Sequence, residues 1–283
     1  KFNSGYDIDI VLDLIDNYID GFHNSYEWGY SIPYFLAGSH SAHVNNISYL
    51  SAKAGIASRD INFLLNRLDP VERKRYDYSL LEKTYLDYQN THCEDNSAIA
   101  SLQNALSGKD ILVLLPGHTI KTCQGQIQHF YKEKNPIVIS VNLLTDCYPI
   151  DFAYFSNKNR YQYWRNEAAF NKCKKIVTSN VTTRKDDNLF IIDFLRLVKC
   201  GWEQLDNSGV LLLRLLDLMN VNSISIAGFD GYSHNSENPN YVEKAMEKTR
   251  NTLNAEEANK DIKSMLVDYK NTRKSSCPIS FIT

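Results

Sequence analysis

The chain of 283 residues lacks a basic surplus, long apolar runs, paired cysteines and the phosphate-loop, dinucleotide-binding and G-x-S-x-G hydrolase signatures. Lys and Arg number 31 against 33 Asp and Glu, a net charge of −2, so no nucleic acid or anionic membrane surface is expected as a partner. The longest apolar runs, such as Ile111–Leu115 and Val210–Leu213, fall far short of the ~20 residues needed to span a bilayer. The six cysteines, at 93, 123, 147, 173, 200 and 277, are scattered without a C-x-x-C pair. That spacing excludes a disulfide framework or zinc ribbon and reads as reduced thiols of a cytoplasmic protein. Only 7 Pro and 12 Gly are present, and no tract is of low complexity. No signal-peptide pattern opens the chain, and it starts at Lys1 without Met, which reads as a fragment of a longer protein.

Other absences narrow the chemistry. No lysine of the phosphate-loop type follows Gly117, and G-x-G-x-x-G does not occur, which argues against an ATPase or an ordinary NAD enzyme. G-x-S-x-G is missing too. His40 and His43 stand three apart without the acidic partner of an H-E-x-x-H zinc site, so no metal site is assigned.

What is present divides near residue 107. Residues 1–106 read as a helical domain. Asp7 caps a face of Ile8, Leu12, Ile15 and Ile19, Ser31 precedes Ile32–Ala37 with Pro33 in the first turn, and Ser58 opens a helix that Asp69-Pro70 stops. Ser79-Leu80-Leu81-Glu82 has the form of a capping box. Residues 107–283 switch to short β-branched runs alternating with amphipathic stretches, the pattern of a Rossmann-like, mostly parallel, doubly wound sheet. Strands are expected at Ile111–Leu115, Ile137–Val141, Phe152–Phe155, Ile176–Thr178, Phe190–Ile192 and Ser223–Ala227. Helices are expected at Thr119–Tyr131, Arg160–Lys172, Gly209–Met219 and Glu256–Tyr269. The fold class is α/β.

Ligands of such sheets bind at the carboxyl ends of the strands. Here those ends carry Pro116-Gly117-His118-Thr119, Asn142, Ser156-Asn157, Ser179-Asn180 and Gly228-Phe229-Asp230-Gly231. Gly117 admits close backbone approach, and a helix opening at Thr119 would turn unpaired N–H groups towards a phosphate. Asn amides donate and accept, which suits reading a base, ribose or sugar. Taken singly, Gly, Asn and Ser at these positions are explained by turn geometry; taken together they point to a nucleotide-like site. His118 and His234 are the nearby groups able to act as a base near neutral pH, although a lone loop histidine usually lies idle on the surface. Tyr232 and Tyr241 are placed to hydrogen-bond a leaving phosphate without a metal, or merely to pack a loop. Tyr161 and Trp164 fit a packing face better than a stacking platform.

Beyond these readings, Trp28–Ala37 and His43-Val44-Asn45-Asn46 resemble the helical tail that follows the barrel of bacterial aldolases similar to 4-hydroxy-2-oxovalerate aldolase and hydroxymethylglutaryl-CoA lyase. In that group an α/β module follows, with motifs like Leu114-Leu115-Pro116-Gly117, Ile139-Ser140-Val141-Asn142, Phe155–Tyr161 and Ala227–Tyr232. The resemblance implies that the parent protein is a carbon–carbon lyase of 2-oxo acids, serving surface-polysaccharide building blocks. It implies a divalent metal only in a barrel that lies outside these residues, so no cofactor is expected here. The first domain would dock that barrel or a partner subunit.

The α/β module also resembles bacterial sialyltransferase-like proteins and, more distantly, the archaeal pterin pyrophosphokinase group. That likeness implies a CMP or CMP-sugar ligand held by Gly117, Asn142 and Asn157, with Ser208-Gly209 opening a helix beside it and Tyr232 after the last strand. His118-Thr119 stands where that group has an Asn-Gly-Pro-Ser type turn; His118, Thr119 and Asp230 join the expected nucleotide set from the strand-end reading, and His234 is the nearest counterpart of a catalytic histidine. The implied activity is a metal-independent CMP-sugar glycosyltransferase; the alternative is a non-catalytic nucleotide-binding or docking module.

Overall fold

Helix-period and strand-period segments fall into two units, Lys1–Gln89 and Asn90–Thr283. The computed structural model describes residues 7–16, 31–53, 56, 58–89, 93–182, 188–199, 201–202, 206–233, 241–242 and 255–283. The division falls 17 residues before the one at residue 107 read from the sequence, because the helix Asn96–Leu106 packs on the sheet. Asp95, just ahead of that helix, is buried and takes a bidentate hydrogen bond from Arg196, at 2.5 and 2.8 Å.

The first unit is helical: α1 Ile8–Leu14, α2 Ile32–His40, α3 Val44–Ala52, α4 Ser58–Arg67, α5 Pro70–Lys74 and α6 Tyr78–Gln89. Asp7 caps α1 as expected, accepting from the Asp9 amide at 3.0 Å. Asp69-Pro70 ends one helix and begins the next: Pro70 needs no N–H partner in a first turn, and the Asp69 carboxylate accepts from the Val71 amide at 2.7 Å. The capping box at Ser79–Glu82 does not form. Asp77 accepts from the Leu80 amide instead, at 3.0 Å, while Glu82 turns inward to the Lys53 ammonium at 2.7 Å. Leu36, Ile47, Leu50, Ile61, Leu64 and Tyr85 form the centre of this unit.

The second unit runs α7 Asn96–Leu106, β1 Asp110–Leu114, α8 Thr119–Thr122, α9 Gln124–Lys134, β2 Ile137–Val141, β3 Phe152–Phe155 and α10 Lys158–Arg165. A 3₁₀ turn at Ala168–Lys172 precedes β4 Lys174–Thr178 and β5 Leu189–Ile192. Then come α11 Phe194–Leu197, α12 Ser208–Leu216, β6 Ser223–Ala227, α13 Ala255–Thr272 and β7 Ile279–Phe281. The seven strands form one sheet in the order β5-β4-β3-β2-β1-β6-β7, and every neighbouring pair is parallel. The α/β, Rossmann-like fold expected for this part of the chain is thus the one adopted.

Burial explains why these strands read as unbroken apolar runs: both faces are covered. Leu112, Leu114, Val138, Ala153, Phe155 and Val177 face one layer, packed with Ile120, Ile127, Trp164 and Phe170. Tyr154, of opposite parity, faces the other layer, where its phenol lies in the field of Asp206 and Arg214 beside α12. Expected helices at 119–131 and 160–172 are each broken. Cys123 leaves helical geometry (φ −106°, ψ 23°), and Glu167 is extended before the 3₁₀ turn.

The chain winds from β1 outward to β5, then returns to place β6 on the other side of β1. That reversal leaves a crevice beyond the carboxyl ends of β1 and β6, where sheets of this kind take ligands.

Candidate functional site

The crevice is a cavity of about 280 Å³. One wall is Leu115, Pro116 and Gly117 after β1, and the floor is Gly228–Tyr232 after β6. Asn259, Ile262, Lys263 and Leu266, one face of α13 at helical spacing, close the far side with Asn207 and Tyr241.

Two contacts weld the floor to the β1 turn. Gly228 has φ +77°, and a Cβ there would meet the Ile120 side chain at 2.7 Å. At Gly117 a Cβ would overlap the Gly228 carbonyl oxygen and reach the Asp230 carboxyl carbon at 2.6 Å. The backbones therefore touch at Gly117, and this glycine serves contact within the protein.

Asp230 changes the expected chemistry of that turn. Its carboxylate accepts the Thr119 amide at 2.7 Å and also the Thr119 hydroxyl. The amide that the sequence reserves for a phosphate thus already holds an anion of the chain's own. A second anion would meet charge repulsion as well as a missing donor. His118 stands at the start of this turn without a side-chain capping bond. The Thr119 and Thr283 hydroxyls are 3.0 Å apart, and the Gly228 amide donates to Thr283 at 2.9 Å, so the end of β7 ties into the same knot.

Gly117, Asp230 and Tyr232 of the expected site line the crevice together. Asn142, Asn157, Ser208 and Gly209 do not. Asn142 takes a left-handed conformation (φ 51°) after β2, which swings its amide to the Ser208 hydroxyl at 2.7 Å. Ser156 donates to the same hydroxyl at 2.7 Å, and Trp164 donates to the Asn142 carbonyl at 3.1 Å. Asn142 is buried, and its side-chain oxygen has no hydrogen-bond partner among the described residues. Asn157 caps α10, accepting from the Arg160 amide at 3.0 Å. Gly209 lets α12 approach β1: a Cβ would stand 2.5 Å from Leu115 Cδ2 and 2.8 Å from Phe229. Asn180 donates to the Ser156 carbonyl at 3.2 Å, bracing neighbouring strand ends. His234 lies outside the described residues.

The crevice also uses side chains that sequence reasoning missed. Asn259 clamps the floor loop, accepting the Tyr232 amide at 2.7 Å and donating to the Tyr232 carbonyl at 2.8 Å. Lys263 contributes an exposed ammonium on the same helix face. Asn207 caps α12 through the Gly209 and Val210 amides while bordering the cavity. The spacing 259, 262, 263, 266 was the available signal, but polar and apolar residues alternate along it and nothing in the sequence says which sheet end it faces. Tyr241 pairs with Gly117 in an isolated antiparallel bridge, and its hydroxyl donates to the Tyr232 hydroxyl at 3.2 Å. The Arg160 guanidinium lies against the Tyr241 ring, 4.7 Å from its centre.

Just ahead of α12, the Asp206 side chain is 4% exposed, and its carboxyl is pushed up to about 6 by burial, which outweighs the opposing pull of Arg214 at 3.1 Å. Among the described residues no three His, Cys, Asp or Glu side chains gather as metal ligands, and no helix is long and apolar enough to cross a membrane.

The described lining thus offers two phenols, two amides, one carboxylate and one ammonium between apolar walls. Such an inventory is chemically suited to a polar ligand of small-molecule size. The chain matches no protein-family model and no curated protein.

Proposed function

We propose that the sheet-bearing unit is a binding module for a nucleotide or nucleotide-sugar of the CMP type, and that the chain is the C-terminal part of an aldolase-like protein. The observation that carries the first half is the open crevice of about 280 Å³ at the reversal between β1 and β6, lined by hydrogen-bonding groups on apolar walls. The second half rests on the motif order from Trp28 to Tyr232 that resembles the aldolase tail and module. On this reading the carbon–carbon chemistry on 2-oxo acids, and the divalent metal it uses, belong to a barrel outside these residues. Calorimetric titration with CMP and other nucleoside monophosphates, with and without Mg²⁺, tests the binding half. Metal-independent uptake of CMP is expected; no uptake of any nucleotide would overturn it.

One observation favours transfer as a second reading. The Tyr232 and Tyr241 hydroxyls lie 3.2 Å apart at the crevice, so both can turn towards one ligand oxygen. Two phenols donating to a leaving phosphate would stabilise its developing charge by hydrogen bonds where a metal otherwise does so by charge. Hydrolysis or transfer of a CMP-sugar by the protein in EDTA is the readout, and an inert protein that still binds CMP restricts it to binding.

A further inference from the structure

We infer that the crevice recognises its ligand by a vicinal diol, with the Asp230 carboxylate accepting both hydroxyls, and that the ligand's phosphate does not take up the Thr119 amide. This rests on the nucleotide reading just given and specifies which part of such a ligand is read. A carboxylate offers about four lone-pair positions on its two oxygens. Thr119 takes one on each, through its amide and its hydroxyl. Asp230 is exposed and borders the cavity, so the remaining positions are open to a ligand.

The carboxylate is held still from two sides. Thr119 fixes it from the β1 turn, and Asn259 fixes Tyr232, farther along the same loop, by both its amide and its carbonyl. Gly117 presses against it with no room for a side-chain carbon. A fixed anion with two outward acceptors suits two adjacent O–H donors and repels a phosphate. Across the cavity, Ile262 and Leu266 provide the apolar surface that a sugar ring face packs on, while Lys263 is the cation of the described lining. Negative and positive groups on opposite elements favour a ligand that carries its hydroxyls at one end and its anionic group elsewhere.

The diol could belong to the ribose of a nucleotide or to the ring of an attached sugar, and the titration separates them. CMP, 2′,3′-dideoxy-CMP and a CMP-sugar are titrated into the wild-type protein and into Asp230→Asn. The substituted amide keeps an oxygen for the Thr119 amide but loses the charge, and a melting curve verifies the variant's fold. If the ribose is read, removing both hydroxyls weakens binding by roughly tenfold to a hundredfold, and Asp230→Asn weakens CMP by a similar factor while leaving the dideoxy compound unaffected. If the sugar is read, CMP and its dideoxy counterpart bind alike, the CMP-sugar binds more tightly, and Asp230→Asn removes that gain. Equal binding of all three ligands to the wild type overturns the inference and leaves the nucleotide reading intact. Should no nucleotide bind at all, that reading fails, and ribose 5-phosphate and methyl glycosides decide the diol separately: uptake that depends on Asp230 upholds it, and no uptake overturns it.

Discussion

The Asp230 carboxylate sits 2.7 Å from the Thr119 amide, occupying from within the protein the helix start where an α/β sheet of this kind usually receives a phosphate. The two residues are 111 positions apart, and their meeting requires β1 and β6 to be neighbours. The crevice beside them therefore presents a carboxylate acceptor at this end.

Gly117→Ala tests how tightly that end is closed. The added carbon would strike the Gly228 carbonyl, which is backbone and cannot rotate aside, as well as the Asp230 side chain. A loss of about 1–3 kcal/mol in urea unfolding is expected, together with weaker CMP uptake. Unchanged stability would mean that the β1 turn is looser than described.

Asn259→Ala removes both hydrogen bonds that hold the Tyr232 backbone. Ligand affinity is expected to fall several-fold while the melting temperature drops by only a few degrees, because the loop and not the core is released. Calorimetry and a thermal melt on the same sample check this, and a large stability loss with intact affinity contradicts it.

In the helical unit, Lys53 and Glu82 form an ion pair whose side chains are 2% and 4% exposed. Glu82→Ala leaves a buried ammonium without this carboxylate and is expected to cost about 3–5 kcal/mol. Replacing both together, Lys53→Met with Glu82→Leu, should recover most of that loss. A double variant as unstable as the single one would show that the pair contributes more than mutual neutralisation.

Asp206 gives a pH dependence of unusual sign. Burial holds its carboxyl at about 6 in the folded protein, above the ~3.9 of an unfolded chain. The folded state therefore binds the proton more readily, and the contribution of this group is most favourable below pH ~4 and is lost as pH rises to about 6. The loss amounts to at most about 3 kcal/mol. Comparing denaturant midpoints of wild type and Asp206→Asn between roughly pH 4 and 7 isolates it, since the variant should lack that downward slope. Parallel curves would rule the effect out.

Much of the second unit was legible because parallel strands covered on both faces must be continuously apolar: β2, β3 and β6 begin and end where the pattern predicts. β7 escaped notice because Ile279–Phe281 is three residues long and sits on an edge with Phe281 exposed. The capping box at Ser79 failed because Asp77, two residues earlier, supplies a better acceptor, and Glu82 finds Lys53 29 residues away. Asn142 and Asn157 carried the right chemistry for a ligand, yet the backbone turned them to Ser208 and to a helix cap.

Period and composition determined the α/β class, the helical first part, the positions of most strands and the set of strand-end residues from which a site would be drawn. These are local properties, set by which side chains a strand or a helix face can bury. Which of those residues share a cavity was decided only by tertiary structure. The return of β6 beside β1 brought Asp230 to Thr119, and α13 brought Asn259 and Lys263 to the same crevice. Contacts of that separation depend on strand order, which no local pattern encodes.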